Sequence, residues 1–268
     1  MKESIIETEY GHVYYWVSDM IRERRTIVFL HGLTANHTMF DRQSAFFAKR
    51  YNIITWDAPA HGKSRPYSNF TYPNTVEALY KILQNESIEK AVLVGQSMGG
   101  YIAQSFIMRH PDLVEAFVSI DSTPFGNYYS KSDTWWLRQI EWMSKLVPAK
   151  CLKKSIAQQN AITEQGQENM RDMLAAYSKS ELCHLMGIGY ASFLDENCEL
   201  HITCPVLLLL GEKDRTGKVQ NYNRRWSGQT GFPLEIIPDA AHNSNVDNPD
   251  AVNKCIEEFI MTSVLNTQ

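Results

Sequence analysis

The segment KAVLVGQSMGGYIAQSF, positions 90–106, narrows the possible folds more than any other part of the chain. It passes from an unbroken apolar run through Gly95-Gln96-Ser97-Met98-Gly99 into a stretch of helical periodicity. A run without polar alternation suits a strand covered by helices on both faces. Strand, Gly-x-Ser-x-Gly and helix in that order make a nucleophile elbow, a turn that displays its serine at the edge of a parallel sheet. Such a turn forces the serine into a strained backbone conformation, and the residues two before and two after it must have almost no side chain. Gly95 and Gly99 meet that demand. The bland alternative is a serine in a tight strand-to-helix turn with no chemistry, and the strand and helix context weighs against it.

The rest of the chain repeats the strand-then-helix alternation. Short β-branched runs predict strands at 4–9, 12–18, 26–30, 53–56, 91–94, 116–120, 206–210 and 234–237. The first two are split by Gly11 and alternate in character, as an antiparallel hairpin at an exposed edge does. Helical periodicity predicts helices over 39–49, 75–85, 98–109, 218–226 and 249–264, the last opened by Asn248 as N-cap and Pro249 at the first helical position. This is an α/β chain with a mostly parallel eight-stranded sheet and helices on both faces.

Between the sixth and seventh predicted strands, residues 124–196 carry helical patterns and no convincing strand. They read as a helical insertion, a cap, with 1–123 and 197–268 forming the core domain. The first helix of the insertion places Trp136, Ile140, Met143 and Val147 on one face with Trp135, Trp142 and Leu146 beside them, and Pro148 stops it. So broad an aromatic face is expected to cover something. Packing between cap and sheet is the simpler reading, and a substrate pocket lined by Trp135, Trp136 and Trp142 is the sharper one. Acidic and basic residues balance in this segment, which gives no reason to expect a strongly anionic substrate.

A serine hydroxyl near neutral pH needs a base, and the base needs an orienting group. After Ser97 the histidines are His110, His184, His201 and His242. His110 ends the elbow helix beside Pro111, His184 lies in the insertion, and His201 precedes the seventh strand on the side away from the elbow. His242 alone follows the last strand, where a loop at the carboxyl end of the sheet can reach Ser97. For the acid, the seventh strand ends in LLLLGEKD, which puts Asp214 in the loop beyond it, at the edge where catalytic groups gather. Glu212 and Asp121 are competitors. Negative charge on the oxygen of an acyl-transfer transition state needs preorganised donors. The backbone N–H groups of Met98, at the start of the elbow helix, and Leu33, in the loop after the third strand, are the candidates. His31 reads as a residue that fixes its loop rather than one that reacts.

Composition narrows the partners. A net charge of -4 and no long Lys/Arg run give no footprint for nucleic acid, so a small-molecule substrate is expected. No segment is apolar enough for a signal peptide or a membrane span, from which a cytoplasmic address is the expectation. The five cysteines, at 151, 183, 198, 204 and 255, form no CxxC pair and read as reduced, buried thiols rather than nucleophiles or metal ligands. No cofactor and no metal site are read.

The residues His31-Gly32, the stretch Asp57-Ala58-Pro59-Ala60-His61-Gly62-Lys63-Ser64, the elbow GQSMGG, the acid in GEKD and Ala241-His242 resemble, in order and over nearly the whole chain, the α/β-hydrolase superfamily. The resemblance implies a cap after the sixth strand and a Ser-Asp-His triad working without a cofactor. It marks Asp57, His61 and Ser64 as a structural loop signature. Serine at the elbow resembles esterases, lactonases, thioesterases and carbon–carbon bond hydrolases, whereas dehalogenases and epoxide hydrolases place Asp there. Ala60 and Ala241 stand where many members have Gly. The expectation is a carboxylic ester-type serine hydrolase, with a carbon–carbon hydrolase or lyase, and a slow hydrolase-like binding protein or receptor, as the alternatives.

Overall fold

The computed structural model describes residues 1–263. Its strands are β1 (Lys2–Thr8), β2 (Gly11–Val17), β3 (Thr26–Leu30), β4 (Asn52–Trp56), β5 (Ala91–Gln96), β6 (Val114–Ile120), β7 (Val206–Gly211) and β8 (Leu234–Ile237). They form an eight-stranded sheet in the order β1-β2-β4-β3-β5-β6-β7-β8. β2 pairs antiparallel with both β1 and β4, and every other neighbouring pair is parallel. The expected hairpin therefore lies at one edge.

The apolar runs behave as their composition demands. In β3, Ile27 and Phe29 enter one core cluster while Val28 and Leu30 enter the other, so alternate side chains of one strand are buried on opposite faces. The helices that cover them are α1 (Asp41–Phe47), α2 (Tyr72–Asn85), α3 (Met98–Arg109), α4 (Lys131–Leu146), α5 (Ala149–Asn160), α6 (Glu164–Ala175), α7 (Lys179–Glu196), α8 (Val219–Thr230), α9 (Ser244–Asp247) and α10 (Pro249–Ser263). Phe47 of α1 and Val252 and Ile256 of α10 close one face; Leu79 of α2, Phe106 of α3 and Trp226 of α8 close the other. Burial of each such side chain contributes roughly 1.5–3 kcal/mol.

Some boundaries differ from the sequence expectation for local reasons. The helix predicted over 39–49 begins as a 3-10 turn, His37–Phe40, because Asn36 accepts the Thr38 N–H and sets an earlier start. α2 begins before position 75 because Thr71 accepts the Asn74 N–H, with Pro73 in the first turn where its missing N–H costs nothing. α8 runs past 226 to Thr230, and Gly231 beyond it takes the left-handed conformation (φ 76°) that ends the helix. The helix predicted over 249–264 is seen to Ser263, and Val264 lies outside the described residues. Of the cysteines, Cys183 is buried as expected, whereas Cys151 and Cys198 are exposed; all five are free.

The segment between β6 and β7 holds α4, α5, α6 and α7 and no strand. Its buried side chains, such as Leu174 and Leu182 on one side and Phe193 on the other, join the two clusters of the sheet rather than building a third. α4 packs on α7 as an outer layer, and Ser144 is its one fully buried residue. The broad aromatic face of α4 is therefore not covered by protein: Trp135, Trp136 and Trp142 are 54%, 54% and 51% exposed. Among the described residues, no helix is long and apolar enough to cross a membrane.

Candidate active site

Ser97 stands between the end of β5 and the start of α3 with φ 50° and ψ -115°, a left-handed strained conformation for an L residue. Steric crowding explains the flanking glycines. A Cβ on Gly95 would lie 2.4 Å from the Gly99 carbonyl carbon, and one on Gly99 would lie 1.9 Å from the Leu30 carbonyl oxygen. These are backbone neighbours with no rotamer to yield. Gly99→Ala is expected to cost at least the upper end of the ~1–3 kcal/mol typical of overpacking, read as a fall in the denaturant midpoint. An unchanged midpoint would contradict the crowding.

The elbow, the loop after β7 and the loop after β8 converge. His242 Nε2 lies 2.9 Å from Ser97 Oγ, and His242 Nδ1 lies 2.8 Å from Asp214 Oδ2. Asp214 Oδ1 also accepts the Thr216 N–H at 2.7 Å, which leaves Oδ2 aimed at the imidazole. Burial pushes the Asp214 carboxyl up, but the His242 ring and its hydrogen bond, with the Thr216 N–H, hold it below the ordinary carboxylate value. Burial pushes His242 down; the Asp214 carboxylate, its hydrogen bond and the Asp121 charge more than offset this and raise it. Asp214 thereby favours a proton on Nδ1, leaving Nε2 free to accept from Ser97.

The other two acids have different partners. Asp121 Oδ1 accepts the Gly211 N–H at 2.6 Å and Oδ2 accepts the Ser244 N–H at 3.0 Å, so this buried carboxyl bridges the foot of the Asp214 loop to the His242 loop. Burial, and then the nearby Asp214 charge, raise its proton affinity. Glu212 Oε2 accepts the exposed Asp239 N–H at 3.2 Å. The remaining histidines are engaged elsewhere: His110 stacks on Tyr80, His184 lies 3.6 Å from Glu141, and His201 borders a separate hollow.

One supporting residue is invisible to motif reading. Gln96 Nε2 donates to the His242 carbonyl at 2.7 Å and to Asn243 Oδ1 at 3.3 Å, tying the elbow to the loop that carries the imidazole. Asp247 ties the same loop to the segment before α6: its Oδ2 accepts the Ala241 N–H at 2.9 Å and its Oδ1 accepts the Thr163 N–H at 3.0 Å. His31 is buried, Nδ1 lies 2.8 Å from the Gly32 carbonyl oxygen, and Nε2 accepts the Ala58 N–H at 3.0 Å; burial lowers its pKa to about 4. It is a neutral clamp between two loops. Ser64 Oγ donates to the Asp57 carbonyl at 2.6 Å and accepts the Tyr14 N–H, holding the 57–64 loop against the hairpin. Ala60 takes φ 64°, the conformation glycine adopts without strain.

Ser97, His242, Leu33 and Met98 border one cavity of about 480 Å³. Among the described residues, no acceptor is bonded to the backbone N–H of Leu33 or Met98. Met98 opens α3, where the first N–H groups have no intrahelical partner and the helix dipole is positive. Trp136 lines the cavity together with Leu137 and Ile140 of α4. Trp135 and Trp142 do not. Helical spacing puts them on a different side of α4, where Trp142 Nε1 donates to Gln139 at 2.7 Å.

The family model described as alpha/beta hydrolase fold matches residues 25–249. An uncharacterized hydrolase of Bacillus subtilis, YugF, is 25% identical over 255 residues, covering 88% of this chain and 90% of the relative. Among solved structures, a thermophilic esterase from Thermogutta terrifontis superimposes with a TM-score of 0.79 at 17% identity, covering 98% of this chain and 100% of that one. An enol-lactonase from Burkholderia xenovorans LB400 gives 0.78 at 18% identity, covering 96% and 100%. At such identities the likeness of structure shows the fold.

Proposed function

Because the chain belongs to the alpha/beta hydrolase fold family, we propose that it is a serine hydrolase that cleaves an ester, thioester or lactone of a small to medium substrate through an acyl-enzyme. The observation that carries this reading is the hydrogen-bonded line from Asp214 through His242 to Ser97. Ser97 Oγ attacks the carbonyl carbon as its proton passes to His242 Nε2. The Leu33 and Met98 N–H groups receive the developing oxyanion. The imidazolium then protonates the leaving alkoxide or thiolate. Water, deprotonated by the same nitrogen, attacks the acyl carbon and releases Ser97.

In this reading, residues 124–196 act as a cap on the core formed by 1–123 and 197–268. Support comes from the cavity itself: its floor is the elbow and the two loops, and its roof includes Trp136 of α4, Ile156 of α5 and Met186 of α7. Since the cap shares its buried residues with the sheet clusters, it is a covering and not a unit that would stand alone.

The direct test is labelling with a fluorophosphonate, comparing the protein with Ser97→Ala, followed by a screen of esters of graded acyl length. Labelling that does not depend on Ser97 would sink the proposal. Ser97-dependent labelling without turnover of any ester, thioester or lactone would point instead to carbon–carbon cleavage, a lyase or a receptor.

The pH dependence has a defined sign. The base must be neutral, and His242 is held above its ordinary value of 6.5, chiefly by Asp214 working against burial. Hence kcat/KM should fall as pH drops through a midpoint above 6.5. An acid limb centred below 6.5 would contradict the assignment of Asp214 as its partner.

A further inference from the structure

Building on the serine-hydrolase reading, we infer that the cavity before Ser97 selects uncharged substrates carrying a hydrogen-bonding group, and that the Asp133–Lys218 ion pair sets this preference. Among the described residues lining the cavity, Lys218 is the one that carries an ammonium or guanidinium, and its Nζ lies 2.6 Å from Asp133 Oδ1. The Asp133 carboxylate is itself held in place, accepting from the Tyr222 hydroxyl at 2.9 Å and from the Ser130 N–H at 2.9 Å at the start of α4. The cation is thus matched by an adjacent, tethered anion, and the Lys218 side chain is itself 54% exposed to solvent. Away from the Leu33 and Met98 N–H groups, at the end of the cavity that Lys218 and Asp133 wall, a substrate carboxylate would give up hydration and meet a cation already paired with an anion.

Neutral polar groups remain available. The wall contains two differently engaged sets of tyrosines. Tyr101 and Tyr129 hydroxyls are both bound to Thr123 Oγ1, at 2.7 and 2.5 Å. Tyr72 and Tyr190 line the same cavity, and among the described residues no protein group is hydrogen-bonded to either hydroxyl, which leaves both open to whatever fills the cavity. A hydroxyl that faces a cavity bonds the water in it or a polar group of the ligand that displaces that water. A carbonyl, amide or hydroxyl of the substrate fits that role, while Trp136, Leu137, Ile140 and Met186 offer apolar surface to an alkyl or aryl group.

A matched pair of ligands isolates charge from shape: 4-phenylbutyramide and 4-phenylbutyrate, titrated at pH 7 into the Ser97→Ala protein by calorimetry. The amide is expected to bind at least roughly tenfold more tightly than the carboxylate. In an otherwise identical protein bearing Asp133→Asn, which frees Lys218 while keeping an acceptor for Tyr222, the gap should shrink by about tenfold. Tyr72→Phe should weaken the amide by roughly fivefold and leave the carboxylate nearly unaffected. Equal or tighter binding of the carboxylate, no binding of either ligand, or a ratio indifferent to Asp133→Asn would overturn the inference. Since binding requires no turnover, failure of the hydrolase reading would appear separately, as absent Ser97-dependent labelling.

Discussion

Replacing Ser97 by alanine is expected to lower ester hydrolysis by roughly 10³–10⁶-fold while leaving the fold intact. The hydroxyl contributes almost nothing to packing: its one described partner is His242 Nε2, at 2.9 Å. Removing it leaves the Leu33 and Met98 donors, the cavity and the imidazole in place, so residual rate should reflect water attacking a bound, polarised carbonyl. The thermal midpoint should not fall, because alanine keeps the same Cβ in the same strained turn. A Ser97→Ala protein that retains more than about a tenth of the wild-type kcat at an unchanged melting temperature would remove Ser97 from the mechanism.

The second large effect is expected at the acid. Asp214→Asn should reduce kcat by about 10⁴-fold, because an amide can present its N–H₂ to Nδ1 and so favour the tautomer with the proton on Nε2, which cannot accept from serine. Loss of the Asp214 charge also removes the strongest influence raising His242, so the acid limb of kcat/KM should move to lower pH. Asp121→Asn should behave differently. Asp121 makes no hydrogen bond to the imidazole; it accepts the Gly211 and Ser244 N–H groups, and an amide can satisfy only one of them with its oxygen. Its replacement should cost stability, roughly 1–3 kcal/mol, with a far smaller loss of kcat. Measuring kcat and the denaturant midpoint for both variants separates the roles. A larger kcat loss at Asp121 would exchange them.

Local features were the legible ones. Gly95 and Gly99 answer to backbone atoms within the elbow and the adjoining strand, so their spacing announces the turn without reference to distant chain. The buried strands were equally plain, since a run such as VLLLL can be satisfied only by cover on both sides. The early start of α2 was also within reach, because Thr71 and Pro73 form a recognisable cap and first turn. Gln96 was not. Side chains at the middle positions of the elbow motif are free to vary as far as the turn is concerned, and the partner of Gln96, the His242 carbonyl, lies 146 positions away along the chain.

The tryptophans of α4 show the limit from another direction. Periodicity groups Trp135, Trp136 and Trp142 as a broad apolar face, yet it cannot say how that face is rotated when the helix rests on α7. All three remain about half exposed, and the packing brings only Trp136 to the edge of the cavity.

From the sequence alone came the α/β class, the elbow at Ser97, and the expectation that His242 and Asp214, preferred over Glu212 and Asp121, lie at the carboxyl edge of the sheet. Each rests on short-range sterics or on the two-sided burial of a strand. Tertiary structure alone decided that Asp121 braces the two loops, that Gln96 joins elbow to base, and that Lys218 is paired with Asp133. Those outcomes are hydrogen bonds between groups far apart in the chain, and no local propensity encodes which of several well-placed carboxylates a side chain will reach.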